Sequence, residues 1–62
     1  MPIAHIHILE GRSQKEKKKL ITETTNAIAS SLGAPPEKIK VLLIEVKKEN
    51  WATAGITKLE EG

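Results

Sequence analysis

The chain has 62 residues, a formal net charge of +2, no cysteine and one aromatic residue, Trp51. The missing cysteines exclude disulfides and thiolate metal sites, and a lone aromatic gives no platform for stacking successive bases. Nine lysines and one arginine alternate with eight glutamates, so no basic stripe of the kind that tracks nucleic acid forms. The length allows one domain, residues 1–62, and a chain this short buries only about 60% of the surface its unfolded form exposes. Two histidines alone make a poor structural metal site, which leaves oligomerisation to complete the core. The sequence has no signal peptide and no apolar run of membrane-spanning length, so the expected compartment is the cytoplasm.

Residues 3–9 alternate. Ala4, Ile6 and Ile8 face one way, and Ile3, His5, His7 and Leu9 the other, which predicts a strand. Glu10-Gly11-Arg12 is a turn. Ser13-Gln14-Lys15-Glu16 has the pattern of a capping box, so a helix is expected over 14–32. Its apolar stripe comprises Leu20, Ile21, Thr24, Ala27, Ile28, Ser31 and Leu32, with Ala29 mostly outside it. Gly33 suits a left-handed helix end, and Pro35-Pro36 forbids continuation. Residues 39–46 predict a second strand whose nearly continuous apolar run suggests burial on both faces. Strand, helix, strand gives a βαβ unit with parallel strands and a right-handed crossover. The tail, 47–62, begins polar, gives a short hairpin over 51–56, and is expected to fray at Glu60-Glu61-Gly62. One helix on a two-stranded sheet leaves the sheet's other face bare, and a partner subunit is the natural cover.

Pro2 is the candidate for chemistry; the alternative is a proline that merely begins a strand. A small residue after Met1 normally permits removal of Met1, and Pro2 would then hold a free secondary amine. An unperturbed α-amino group titrates at about 7.7–8.0, and modest burial or a nearby cation lowers it toward neutrality, where a general base works best. Arg12 is the only arginine among many lysines. Its planar fork suits oriented carboxylate binding; the alternative is a turn arginine pairing with Glu10. Glu10 is either a second acid/base group or a turn cap or ion pair. Lys40, early in the second strand, reads from the residues alone as a solvated strand lysine. His5 and His7 stand at i, i+2, a spacing that could chelate a metal, but no third ligand is near in sequence. The lysines at 15, 17, 18 and 19 read as a solvated helix face.

The segments Met-Pro-Ile-Ala at 1–4, Ile-His-Ile-Leu-Glu-Gly-Arg-Ser at 6–13 and Ala34-Pro35 resemble the 4-oxalocrotonate tautomerase family over almost the whole chain. The resemblance implies an α+β fold: a βαβ protomer with a short C-terminal hairpin, paired into dimers that assemble as a hexamer. It implies a cofactor-free tautomerase that ketonises a 2-hydroxy-dienoate such as 2-hydroxymuconate, with a small carboxylate substrate and neither nucleic acid nor membrane as partner. By the same resemblance Pro2 is the base, Arg12 from a neighbouring subunit holds the distal carboxylate, and Leu9 and Trp51 line an apolar pocket. The family's second arginine, early in strand two, is here Lys40, which keeps the charge but loses the bidentate geometry. A second reading is a non-catalytic oligomeric scaffold or anion-binding protein on the same fold, should Met1 be retained.

Overall fold

The computed structural model describes residues 1–61. Strand β1 (Ile3–Leu9) leads through the Glu10–Arg12 turn into helix α1 (Gln14–Leu32), and strand β2 (Lys40–Val46) returns beside β1. The two strands pair in parallel, from Ile3 opposite Lys40 to Leu9 opposite Val46. Strands β3 (Ala52–Thr53) and β4 (Ile56–Thr57) form a small antiparallel hairpin, and helix α2 (Lys58–Glu61) ends the described chain. Two 3-10 turns, Pro36–Lys38 and Lys48–Asn50, flank β2.

Local chemistry accounts for the helix boundaries. The Ser13 hydroxyl accepts from the Glu16 amide at 3.1 Å, and the Glu16 carboxylate accepts from the Ser13 amide at 3.1 Å. This reciprocal cap satisfies two amides that the first turn leaves without helical partners. At the other end Gly33 adopts φ 66°, the left-handed conformation that stops α1. Strand β2 begins one residue later than the apolar run suggests, because the Ile39 amide closes the preceding 3-10 turn on the Pro36 carbonyl at 3.0 Å.

Helix α1 lies over the sheet face that carries Ala4, Ile6 and Ile8 with their partners Val41, Leu43 and Glu45. Lys17 Nζ reaches Glu45 Oε1 across this interface at 2.9 Å. The half-buried positions of α1 are Lys17, Leu20, Ile21, Thr24, Thr25, Ile28 and Ala29. The stripe expected from the sequence is therefore rotated: Thr25 and Ala29 turn inward, while Ala27 and Ser31 are exposed. Leu32 is 68% exposed. A helix of 19 residues runs about 28 Å against about 23 Å for a seven-residue strand, so the last turn overhangs.

The opposite sheet face carries Ile3, His5, His7 and Leu9 beside Lys40, Leu42, Ile44 and Val46. Ile3 and Leu42 are 54% and 43% exposed, and both histidines are exposed. Burial on both faces of β2 is thus not reached within one protomer, because α1 is the single long helix available to cover the sheet. No described hydrophobic side chain is fully buried. The radius of gyration is 14.5 Å, against about 10.6 Å for a globule of this length. The protomer is a slab of 43 × 24 × 13 Å.

The C-terminal hairpin turns through Ala54 and Gly55 at φ 55° and 80°, the two consecutive positive angles of a tight hairpin turn. Glu60 and Glu61, expected to fray, instead belong to α2. The Thr57 hydroxyl accepts from the Glu60 amide at 3.2 Å, and the Glu60 carboxylate accepts from the Thr57 amide at 3.0 Å. This second reciprocal cap organises the turn; Gly62 lies outside the described residues.

Candidate active site

Pro2 is half-buried at the head of β1, and its carbonyl accepts from the Lys40 amide at 3.1 Å. Parallel pairing produces this contact, since it sets the start of β2 against the start of β1. Lys40 is exposed, makes no ion pair among the described residues, and sits on the uncovered sheet face opposite Ile3. Met1 acylates the Pro2 nitrogen in the 62-residue chain, and its side chain is exposed. A base at this nitrogen therefore requires loss of Met1.

The other candidates lie at the opposite end of the sheet. Leu9 closes β1, half-buried on the uncovered face. Arg12 follows Gly11, whose φ of 118° is open to glycine and turns the chain sharply toward α1. The guanidinium is 3.5 Å from Glu16 Oε2 and remains exposed. Arg12 thus pairs with Glu16, not with Glu10, because α1 places Glu16 one helical turn away on the same side. The Ser13 amide, the Ser13 hydroxyl and the Arg12 guanidinium, in that order of effect, hold the Glu16 carboxyl below its ordinary value. Arg12 also lines a cleft of about 290 Å³ with Ile8, Glu16, Lys17 and Leu20, on the helix side of the sheet. Pro2 takes no part in this cleft.

Trp51 follows the 3-10 turn at Lys48–Asn50 and is half-buried. Its amide donates to the Lys48 carbonyl at 3.4 Å, and its carbonyl accepts from the Lys58 amide at 2.7 Å. Glu10 proves to be a cap. Its carboxylate accepts from the Lys48 amide at 3.3 Å, and its own amide donates to the Val46 carbonyl at 2.9 Å. The sequence offered the cap only as one option, since the residue it caps is far along the chain.

One protomer therefore carries two separated groups of candidates. Pro2 and Lys40 stand at one end, Leu9, Arg12 and Trp51 at the other. Strand rise puts about 23 Å between Pro2 and Leu9, too far for Arg12 to meet the proline of its own chain. Among the described residues, His5 and His7 are joined by no third His, Cys, Asp or Glu able to complete a metal site. No helix among them is long and apolar enough to cross a membrane.

The chain thus combines a βαβ unit with proline at its head and a lone arginine after its first strand. The tautomerase enzyme family model matches residues 2–58. The 2-hydroxymuconate tautomerase of Comamonas testosteroni is 44% identical over 62 residues, which cover the whole of this chain and 98% of that protein. A 4-oxalocrotonate tautomerase isozyme structure from Methylibium petroleiphilum superposes with a TM-score of 0.94 at 28% identity, covering 97% of this chain and 94% of that one. A heterohexamer 4-oxalocrotonate tautomerase from Chloroflexus aurantiacus J-10-fl superposes with a TM-score of 0.93 at 30% identity, covering 97% of each chain. The chain belongs to the tautomerase family and is a 4-oxalocrotonate tautomerase-like isomerase.

Proposed function

We propose that this protein, once Met1 is removed, ketonises a 2-hydroxy-dienoate such as 2-hydroxymuconate with the Pro2 amine as its base. The amine takes the 2-hydroxyl proton. The O–H electrons form the C2 carbonyl, the conjugated double bond shifts, and C5 collects a proton from the prolinium. The Lys40 amide donates to the Pro2 carbonyl, and in this reading the Lys40 ammonium lies beside the amine. That cation favours the neutral amine and stabilises negative charge developing on the 2-oxygen. Arg12 of a neighbouring copy holds the distal carboxylate, and Leu9 and Trp51 keep the cavity apolar. No cofactor takes part in this scheme.

The observation that carries the reading is the placement of Pro2 at the sheet's end, half-buried and hydrogen-bonded to Lys40, in a chain of the tautomerase family. The uncovered sheet face and the two separated groups of candidates support an assembly of identical copies. A hexamer of three dimers provides it; the Chloroflexus neighbour is itself a hexamer, built from unlike chains. We place the enzyme in the cytoplasm.

Intact mass measured on protein from its native source, with a 2-hydroxymuconate ketonisation assay of the same sample, tests the mechanism. Loss of Met1 together with activity is expected. Full activity in a sample that verifiably keeps Met1 would sink the proline base. An inactive sample that keeps Met1 would leave the anion-binding scaffold as the better reading. Lys40→Arg restores a planar fork and is expected to raise turnover of the dicarboxylate; an unchanged rate in a folded variant places Lys40 outside the site.

A further inference from the structure

The Glu10 carboxylate is joined to Trp51 by a continuous run of hydrogen bonds. Glu10 Oε2 accepts from the Lys48 amide at 3.3 Å. The carbonyl of that same Lys48 accepts from the Trp51 amide at 3.4 Å, and the Trp51 carbonyl accepts from the Lys58 amide at 2.7 Å. The 3-10 turn between them has no cap of its own, because Lys47, which precedes it, makes no side-chain cap hydrogen bond. Lysine has no acceptor to offer. Glu10 fills that role from 38 residues away. It makes no ion pair among the described residues, so this amide is its side chain's one protein partner there. Its backbone is fixed as well, since the Glu10 amide extends the β1–β2 pairing onto the Val46 carbonyl at 2.9 Å.

We infer that Glu10 is a positioning residue that sets the place of Trp51 relative to the Arg12 turn. Glu10 lies two residues before Arg12, and the 3-10 turn it caps ends where Trp51 begins. The carboxylate therefore ties the carboxylate-gripping turn to the apolar wall at one distance. The inference deepens the proposed function and rests on it for Trp51's part in the pocket; the hydrogen-bonded link itself does not. Glutamate suits the task because a charge-assisted acceptor holds an amide more strongly than a neutral one, and because its side chain spans from β1 to the turn beyond β2.

Trp51 is the chain's only aromatic residue, so the protein's intrinsic fluorescence reports on it alone. Glu10→Ala in the assembled protein should shift Trp51 emission to the red and raise its quenching by acrylamide. It should also raise KM for 2-hydroxymuconate about threefold to tenfold, the worth of one hydrogen bond, with a smaller change in kcat. Glu10→Gln keeps an acceptor at the same reach and should return both readouts most of the way. Lys48→Pro removes the donated N–H from the other side, at a position where proline is tolerated as the first residue of a helical turn. It should reproduce the Glu10→Ala spectrum and also gives the test should Glu10→Ala fail to fold. Unchanged emission and quenching in folded Glu10→Ala or Lys48→Pro overturns the inference. A spectral shift with unchanged KM upholds the positioning of Trp51 and removes Trp51 from the pocket instead.

Discussion

The separation of Pro2 from Arg12 predicts that activity can be rebuilt from two impaired variants. Replacing Pro2 with leucine puts a bulky residue after Met1, which keeps Met1 in place and eliminates the amine. Loss of a general base of this kind costs about a hundredfold to ten-thousandfold in rate. Arg12→Ala removes hydrogen bonds to a carboxylate, worth about tenfold to a hundredfold in kcat/KM. Pro2→Leu alone is therefore nearly silent in the ketonisation assay, and Arg12→Ala alone keeps about 1–10% of wild-type kcat/KM, well below the level expected on mixing. Along one protomer the two positions are separated by about 23 Å of strand plus the turn, so the proposed site would draw them from different copies. In an equal mixture with random exchange, half the sites hold an intact Pro2 and half of those an intact Arg12. About a quarter of wild-type activity is expected. Exchange is driven in mild denaturant and verified by native mass spectrometry of the mixed assemblies. Mixed assemblies that recover no activity would refute the reasoning, because a site taking both residues from one chain gains nothing from mixing.

Three further outcomes follow from the local structure. Gly33→Ala forces a β-carbon into the left-handed conformation at φ 66° with nothing within 4 Å to accommodate, so the cost is backbone strain alone. A loss of about 1 kcal/mol is expected from urea unfolding, and Gly33→Asn should lose less. The Glu16 carboxyl is held below its ordinary value, chiefly by the Ser13 amide. Its stabilisation is complete above the unfolded carboxylate range and is lost as pH falls through the lowered value. Glu16→Gln keeps the cap without titrating, so its melting temperature should fall less than wild type's on acidification; equal slopes would count against the cap. Leu42 is 43% exposed on the uncovered face. Leu42→Glu should shift the assembly toward smaller species in sedimentation, and wild-type melting temperature should rise with protein concentration.

Local rules made most of the fold legible. Ser13 and Glu16, three residues apart, set the start of α1, and Gly33 with Pro35 set its end. Period-two alternation separated Ala4, Ile6 and Ile8 from His5 and His7. The misses came from longer-range geometry. Which stripe of α1 faces the sheet depends on how the helix is rotated over it, and that orientation brings Ala29 inward and leaves Ala27 out. Both 3-10 turns are three residues long and carry no hydrophobic period. The cap of the second belongs to Glu10, which no window along the sequence connects to Lys48. Glu60 and Glu61 looked like a frayed end because their composition is polar, yet Thr57 and Glu60 repeat the Ser13–Glu16 device on a shorter helix.

The same shortage of core explains why the candidate site is divided. Sixty-two residues with one long helix cover one face of a two-stranded sheet, and no described hydrophobic side chain is fully buried. Apolar surface left in water at Ile3, Leu42, Ile56 and Leu59 gives copies of the chain a reason to associate, at roughly 25 cal/mol for each Å² they cover. The extended rise of β1 puts its two ends at opposite ends of the sheet, so Pro2 and Arg12 cannot be neighbours in one protomer. Association that covers the bare face is then also the event able to bring one copy's amine to another copy's guanidinium. On this view stability and catalysis share one surface, and a substitution such as Leu42→Glu should lower ketonisation and oligomer size together. Full activity in a dissociated Leu42→Glu protein would separate the two and require a site within a single chain.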